Sequence, residues 1–347
     1  METVPVLRAA AEAHRNLAEL KGRAVSVPNP TILVDTVALQ EARASCEIEN
    51  IVTTQDALYM ADLLPRTNRD PATKEVLSYR SAVKQGFAHL QRDASRLSSQ
   101  LLISLYRTVK SCDDGFRVAP GTAIINRYTG EIVHVPPQEP AEVQNRMEEL
   151  ERFINDDALS ALDPLVKMAV IHHQFESIHP FTDGNGRVGR ILNVLYLVRC
   201  KLLETPILYL SRAISRSKGE YYRRLQAVRD NGEGEAWLLY MLDAVSTTSR
   251  HTLTLIERIR SLMAEYKQVM RAELPKIYSH ELLNNLFRHP YTRVHAVQRD
   301  ARVSRPTASR YLRLLTAEGL LRKHRVGRNV YYINQPLVDA FLEQEAG

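Results

Sequence analysis

The chain has 347 residues, ordinary proportions of apolar and charged side chains and a formal net charge of +6. That length suffices for two or three packed units, and no apolar run approaches the roughly 20 residues that span a bilayer, so no membrane partner is expected. Cys46, Cys112 and Cys200 are far apart and outside any Cys/His cluster, which argues against a disulfide framework or zinc site. With no signal peptide in the charged N-terminus, a cytoplasmic location is expected.

In chain order, apolar spacing predicts a helix over about 5–21, a Pro/Asn loop at 27–31 and a helix over 35–50 with Asp35 as its cap. Helices follow at roughly 55–65, 71–90 and 94–108. "GTAIINRYTGEIVHVPP" (121–137) then reads as a β-hairpin, with β-branched runs flanking Tyr128-Thr129-Gly130. Further helices are expected at about 140–155 and 161–176. The segment 187–203 is apolar nearly all round and so is a buried helix. Residues 219–231 and 235–270 complete a helical body. His172 and His173 are read as structural residues of a buried helix.

The segment "IHPFTDGNGRVGR" (178–190) concentrates chemistry. Gly184-Asn185-Gly186 favours a turn with positive φ feeding a helix from about Arg187. Such a turn aims free N–H groups and the positive helix pole at an anion, phosphate above all. Arg187 and Arg190, three apart, leave one helix face and suit several phosphate charges. Asp183 can hold Mg²⁺ together with substrate oxygens. His179 is a natural base for a hydroxyl proton near neutral pH, and Phe181 is expected to turn inward as an anchor.

"HPFTDGNGRVGR" resembles, at every defining position, the HxFx(D/E)GNGRxxR motif of Fic-domain proteins, whose members mostly transfer AMP from ATP to protein hydroxyls. The resemblance extends over roughly residues 15–260 and implies a mainly α Fic fold with a β-hairpin flap. It implies that His179 deprotonates a target Tyr, Ser or Thr, that Asp183 binds Mg²⁺ bridging the α- and β-phosphates, and that Asn185 with the 184–189 backbone (Gly184, Gly186, Val188, Gly189) cradles them. Arg187 and Arg190 would hold the β- and γ-phosphates, and pyrophosphate would leave. Gly186 stands where the related Doc branch has a lysine and acts as a kinase, which favours adenylyl transfer here. "IVHVPP" resembles the family's flap, which aligns a target segment by strand addition. Tyr221 and Tyr222 fall near where the family houses the adenine, with Tyr222 expected to touch ATP. Ser217 and Gly234 depart from the common Asn and Trp.

Glu49 ends its helix, where a carboxylate faces the negative pole at a cost of roughly 0.3–1 kcal/mol. Asn50 suits a left-handed terminator. Ser45-x-x-x-Glu49-Asn50 resembles the family's (S/T)xxxE(G/N) inhibitory motif, whose glutamate pairs with the second arginine of the loop, here Arg190. The resemblance therefore implies autoinhibition by a helix at about 36–50.

From residue 276 onward twelve Lys/Arg face six Asp/Glu, so the whole basic excess lies there and suggests a polyanionic partner. "TRVHAVQRDARVSRPTASRYLRLLTAEGLLRKHRVGRNVYYIN" (292–334) reads helix, turn, helix, hairpin, with Leu312, Leu314, Leu315, Leu320 and Leu321 as its packed face. It resembles a winged helix-turn-helix, with Arg305, Ser309, Arg310 and Arg313 as candidate DNA contacts; a protein-contact module is the other reading. The expected organisation is 1–90 helical with the inhibitory helix, 91–235 Fic core, 236–275 helical extension and 276–347 winged helix. The expected activity is a protein adenylyltransferase using ATP with Mg²⁺ on target proteins or on itself, with a homodimer expected. The alternatives are a DNA-binding regulator with a nucleotide-sensing body, and a de-AMPylating enzyme in which Glu49 positions water.

Overall fold

A computed structural model describes residues 2–25, 30–63, 70–92, 96–125 and 129–346. The chain forms two compact units. One comprises residues 1–21, 38–52 and 75–250, the other residues 22–37, 53–74 and 251–347. This differs from the sequence-order organisation expected, because the segments 22–37 and 53–74 group with the C-terminal residues.

The N-terminal half holds α1 (Val4–Ala24), α2 (Pro30–Ile48), α3 (Gln55–Asp62), α4 (Pro71–Arg92) and α5 (Ser99–Lys110). Proline opens α2 and α4, as suits a first helical residue whose N–H needs no partner. Asp35 is thus inside α2 rather than its cap, and it accepts a hydrogen bond from Arg288 Nε at 2.8 Å. Of the expected loop at 27–31, residues 27–29 lie outside the described residues. Helix α5 begins later than the periodicity suggested because the Ser98 side chain accepts from Leu101 N, fixing the start at Ser99.

Strands β1 (Ile124–Ile125) and β2 (Ile132–His134) pair antiparallel as the expected hairpin, with Ile124 opposite His134 and Ile125 opposite Ile132. Tyr128 lies outside the described residues. Then come α6 (Pro140–Asn155), α7 (Pro164–Ile178), α8 (Asn185–Arg199), α9 (Leu210–Arg216), α10 (Lys218–Asn231) and α11 (Gly234–Glu273). The short α9, too brief to show a period, was not legible as a helix.

The core of the first unit is α8, buried from Asn185 to Leu197 apart from Gly186, as its continuous apolar character required. Gly189 lets α7 approach. A Cβ there would meet Glu176 Oε1 at 2.7 Å and Phe175 at 3.1 Å. Buried Tyr221 and Trp237 pack around His172, Trp237 Nε1 donating to Ala169 O at 2.9 Å. His172 Nε2 and Tyr221 OH are 2.8 Å apart and Asn193 Nδ2 approaches His172 Nδ1, so this histidine is a satisfied core residue.

The second unit continues with α12 (His280–Arg288), β3 (Tyr291–Thr292), α13 (Val294–Asp300), α14 (Arg305–Ala317), β4 (Arg322–Val326), β5 (Asn329–Ile333) and α15 (Gln335–Ala346). The sheet order is β3-β5-β4, all antiparallel, and Gly327 takes a positive φ at the hairpin tip. Helix, turn, helix and hairpin therefore follow as expected, with β3 completing the sheet. Leu312, Leu315, Leu320 and Leu321 are buried, but Leu314 is exposed, because Leu312 and Leu315 occupy the inward positions of α14.

Candidate active site

The loop between α7 and α8 gathers the chemistry. Helix α7 ends at His179, which takes a left-handed conformation (φ 50°) and donates its backbone N–H to Phe175 O. Pro180 O accepts from Arg117 N at 2.9 Å and His179 O from Arg117 Nε at 2.9 Å. Phe181 is fully buried and stacks on Tyr106 at 4.1 Å, the anchor its sequence position suggested.

The helix begins two residues earlier than expected. Only Gly184 of the Gly-Asn-Gly turn has a positive φ (79°), and Asn185 and Gly186 are already in α8. The Asn185 side chain turns inward: Nδ2 donates to Phe181 O at 2.8 Å and Oδ1 accepts from Phe181 N at 2.9 Å. It closes the loop and does not present itself to an anion. Val188 N is already bonded to Gly184 O. The N–H groups lacking an intrahelical acceptor are therefore those of Asn185, Gly186 and Arg187. The expected cradle over 184–189 narrows to these three, since buried Val188 and close-packed Gly189 serve the core.

Arg187 and Arg190 are both 1 % exposed and both engaged by carboxylates. Arg187 Nη1 pairs with Glu75 of α4, and its Nη2 lies 3.7 Å from Asp183 Oδ2. Arg190 Nη2 donates to Glu49 Oε1 at 2.8 Å and to Ser45 O at 2.9 Å, while Nε donates to Ser45 Oγ at 2.8 Å. Ser45 and Glu49 of the SxxxEN segment thus meet this helix together, both on Arg190. Asn50 is left-handed (φ 62°) and its Oδ1 accepts from Lys218 Nζ at 3.0 Å. Burial alone would push the Glu49 carboxyl up, yet the Arg190 guanidinium holds it below the usual carboxylate range.

Gly186 has a second purpose the sequence did not reveal. A Cβ on it would collide with Glu49 Oε1 and lie 2.9 Å from Arg190 Nη1, so the pair needs a bare backbone beside it.

His179 is largely buried, and its Nδ1 has no hydrogen-bond partner among the described residues. Burial lowers its pKa to about 4, so the ring is neutral and able to accept a proton at pH 7. Asp183 is two-thirds exposed. Lys110 Nζ donates to its Oδ2 at 2.6 Å, and Lys110 with Arg187 keeps it ionised against the raising effect of burial. Its oxygens are the hard donors Mg²⁺ takes. No cluster of three His, Cys, Asp or Glu able to hold a metal occurs among the described residues, so the fit is to an ion arriving with phosphate oxygens.

Tyr222 is exposed and stands edge-on to Tyr221 at 5.1 Å. Arg305, Ser309, Arg310 and Arg313 lie on α14 in the second unit. The residues that sequence reasoning missed are Glu75, Lys110, Arg117, Glu41 and Glu176. Glu41 clasps α2 in place, accepting from Tyr79 OH at 3.1 Å, Ser211 Oγ at 2.5 Å and Ser211 N at 2.9 Å. Glu176 is buried one turn before His179, and burial pushes its carboxyl up to about 7. None of the five carries a local pattern beyond ordinary helix polarity.

Three regions of the chain match known families. Residues 95–197 match the Fic/DOC family, 7–88 the Fic/DOC family N-terminal region, and 262–337 the C-terminal domain of SoFic-like protein adenylyltransferases. Protein adenylyltransferase fic-1 of Caenorhabditis briggsae is 27% identical over 155 residues, covering 44% of this chain and 27% of that protein. Protein adenylyltransferase Fic of Drosophila erecta is 39% identical over 66 residues, covering 19% and 13%. The matched region is thus at most about a quarter of these relatives' length. Among solved structures, a Fic family protein from Desulfovibrio desulfuricans G20 superposes over 96% of this chain and 97% of its own with a TM-score of 0.59 at 18% identity. Fic-1 of Caenorhabditis elegans covers 72% of this chain and 73% of its own with a TM-score of 0.55 at 19% identity. With the loop, the helical frame and three matched regions in agreement, the chain belongs to the Fic/DOC family.

Proposed function

We propose that the chain transfers AMP from ATP to a hydroxyl of a protein, and that Glu49 restrains the reaction. The observation carrying this reading is that His179, Asp183, three free N–H groups and two buried arginines converge on the N-terminus of α8, with Glu49 on the innermost arginine.

The triphosphate would lie over the N–H groups of Asn185–Arg187, with Arg187 and Arg190 on its outer phosphates. His179 takes the proton of the target hydroxyl as the oxygen bonds to the α-phosphorus; the bond to the pyrophosphate oxygen breaks and pyrophosphate leaves on the arginines. Asp183 would hold Mg²⁺, releasing Lys110, and the ion supplies charge neutralisation of the phosphates. The target segment would align along β2. The outward carbonyl of Val133 there accepts from Gln226 Nε2 at 2.7 Å, a contact such a segment must displace.

The pairing of Arg190 with Glu49 supports the restraint. A guanidinium held by a carboxylate and by Ser45 is not available to a γ-phosphate, so ATP would bind without its α-phosphate in line. Incubating the chain with ATP labelled at the α-phosphate and Mg²⁺, with and without a lysate, tests the reading. Label on protein that disappears with His179→Ala supports it, whereas label independent of His179 refutes it.

A further inference from the structure

We propose that the second unit is a separate binding device for duplex DNA, with α14 entering the major groove and the edge strand β4 lying on the phosphate backbone. This goes beyond the transfer reading and does not depend on it.

Helix α14 buries Ala308, Leu312 and Leu315 and turns Arg305, Arg310 and Arg313 to solvent with Ser309 half-exposed between them. No ion pair engages these arginines among the described residues; Arg310 only lies over the Tyr311 ring at 5.7 Å. No acid occurs in α14 at all. A merely solvated helix face ordinarily interleaves the two signs and gains from i,i+4 pairs. This one forgoes them.

Strand β4 repeats the pattern. Arg322, Lys323, His324 and Arg325 are consecutive and exposed on both faces of an edge strand. A lysine or two would suffice to protect an edge from pairing with another chain. The two elements are consecutive and tightly joined: Leu320 N and Leu321 N both donate to Leu315 O of α14 just before β4 begins, and Lys323 of β4 pairs with Tyr332 of β5. Arg328 extends the charge past the hairpin tip.

The geometry favours DNA over other polyanions. A 13-residue helix is about 20 Å long and fits the roughly 12 Å wide major groove of B-DNA, whereas the deep, narrow major groove of A-form RNA excludes it. Arginines on such a helix suit guanine edges and phosphates, and a basic hairpin suits the flanking backbone.

The test uses the full chain and a labelled 20-bp duplex of arbitrary sequence, followed by fluorescence anisotropy from 50 to 200 mM KCl. Neutralising about five phosphates predicts a log–log salt slope of about −4 to −5. Arg305→Gln, Arg310→Gln and Arg313→Gln together should weaken binding at least tenfold and flatten the slope by about 2–3. Lys323→Gln with Arg325→Gln should flatten it by about 2. Arg8→Gln with Arg15→Gln, equal charge changes on exposed positions of α1, should leave it unchanged. Absence of binding at 50 mM KCl would overturn the proposal. So would tighter binding to an RNA duplex or to phosphatidylserine vesicles, or indifference to the α14 and β4 substitutions while circular dichroism reports intact folds.

Discussion

Replacing Glu49 by Gln keeps the shape of the side chain and removes the charge that occupies Arg190. The contact is one charge-assisted hydrogen bond of 2.8 Å to a guanidinium 1 % exposed. Hydrogen bonds to charged groups contribute about 1.5–3 kcal/mol, and each 1.4 kcal/mol is a factor of ten. Because 28 % of the Glu49 side chain stays in solvent, the lower half of that range applies, which corresponds to a rate increase of about 10- to 40-fold. The assay is the initial rate of pyrophosphate release at saturating Mg-ATP with a protein acceptor present. Thermal melts supply an independent sign. Without nucleotide, Glu49→Gln should melt at a lower temperature, since buried Arg190 then loses the carboxylate charge paired with it; with ATP its stabilisation should exceed that of the unsubstituted chain. A rate within twofold of the parent, together with an unchanged response to ATP, would refute the reasoning.

Gly186→Ala places a methyl group against Glu49 Oε1 and Arg190 Nη1, so it should cost about 1–3 kcal/mol of stability in the parent and much less beside Glu49→Gly, as a double-mutant cycle in thermal melts would measure. Asp183→Asn should lower transfer by at least tenfold and shift the Mg²⁺ dependence to higher concentration, read from a metal titration of the initial rate. For pH, His179 and His173 titrate at about 4 and His172 at about 3 in the folded chain, all depressed by burial. Unfolded histidines bind protons near 6.5, so stability is full above that pH and is lost as pH falls toward 4. Glu176, raised to about 7, acts in the opposite direction between about 4.5 and 7 and cancels one of the three protons. Melts between pH 7.5 and 4.5 should therefore show stability falling on acidification, since the depressed histidines outnumber Glu176. The acid limb of the transfer rate should lie below pH 5 and not near 6.5.

Much of this site was legible because its parts are contiguous. His179 to Arg190 is one turn and one helix start, and local rules for glycine, helix poles and arginine spacing apply within it. The pairing of Glu49 with Arg190, 141 positions apart, was accessible only through the resemblance of the SxxxEN segment, because no local rule selects a partner at that distance. Glu75 on Arg187 and Lys110 on Asp183 have no such motif and escaped notice. The start of α8 was misplaced because Gly and Asn both signal turns; the Asn185 side chain bonding Phe181 N and O lets the helix begin at Asn185. Pro30 likewise started α2 before Asp35, an opening that Pro signals as readily as a loop. In the C-terminal unit the clustered leucines placed α14, while the two-residue β3 carried no period to read.

AMP transfer from the α8 terminus under restraint by Glu49 is read out by intact-mass spectrometry of the Glu49→Gly chain after incubation with Mg-ATP and a lysate. Adducts of one AMP on lysate proteins or on the chain itself are expected, scarce with the parent and absent when His179→Ala is added. Phosphate adducts in place of AMP, or AMP adducts equally abundant with the parent, would contradict it.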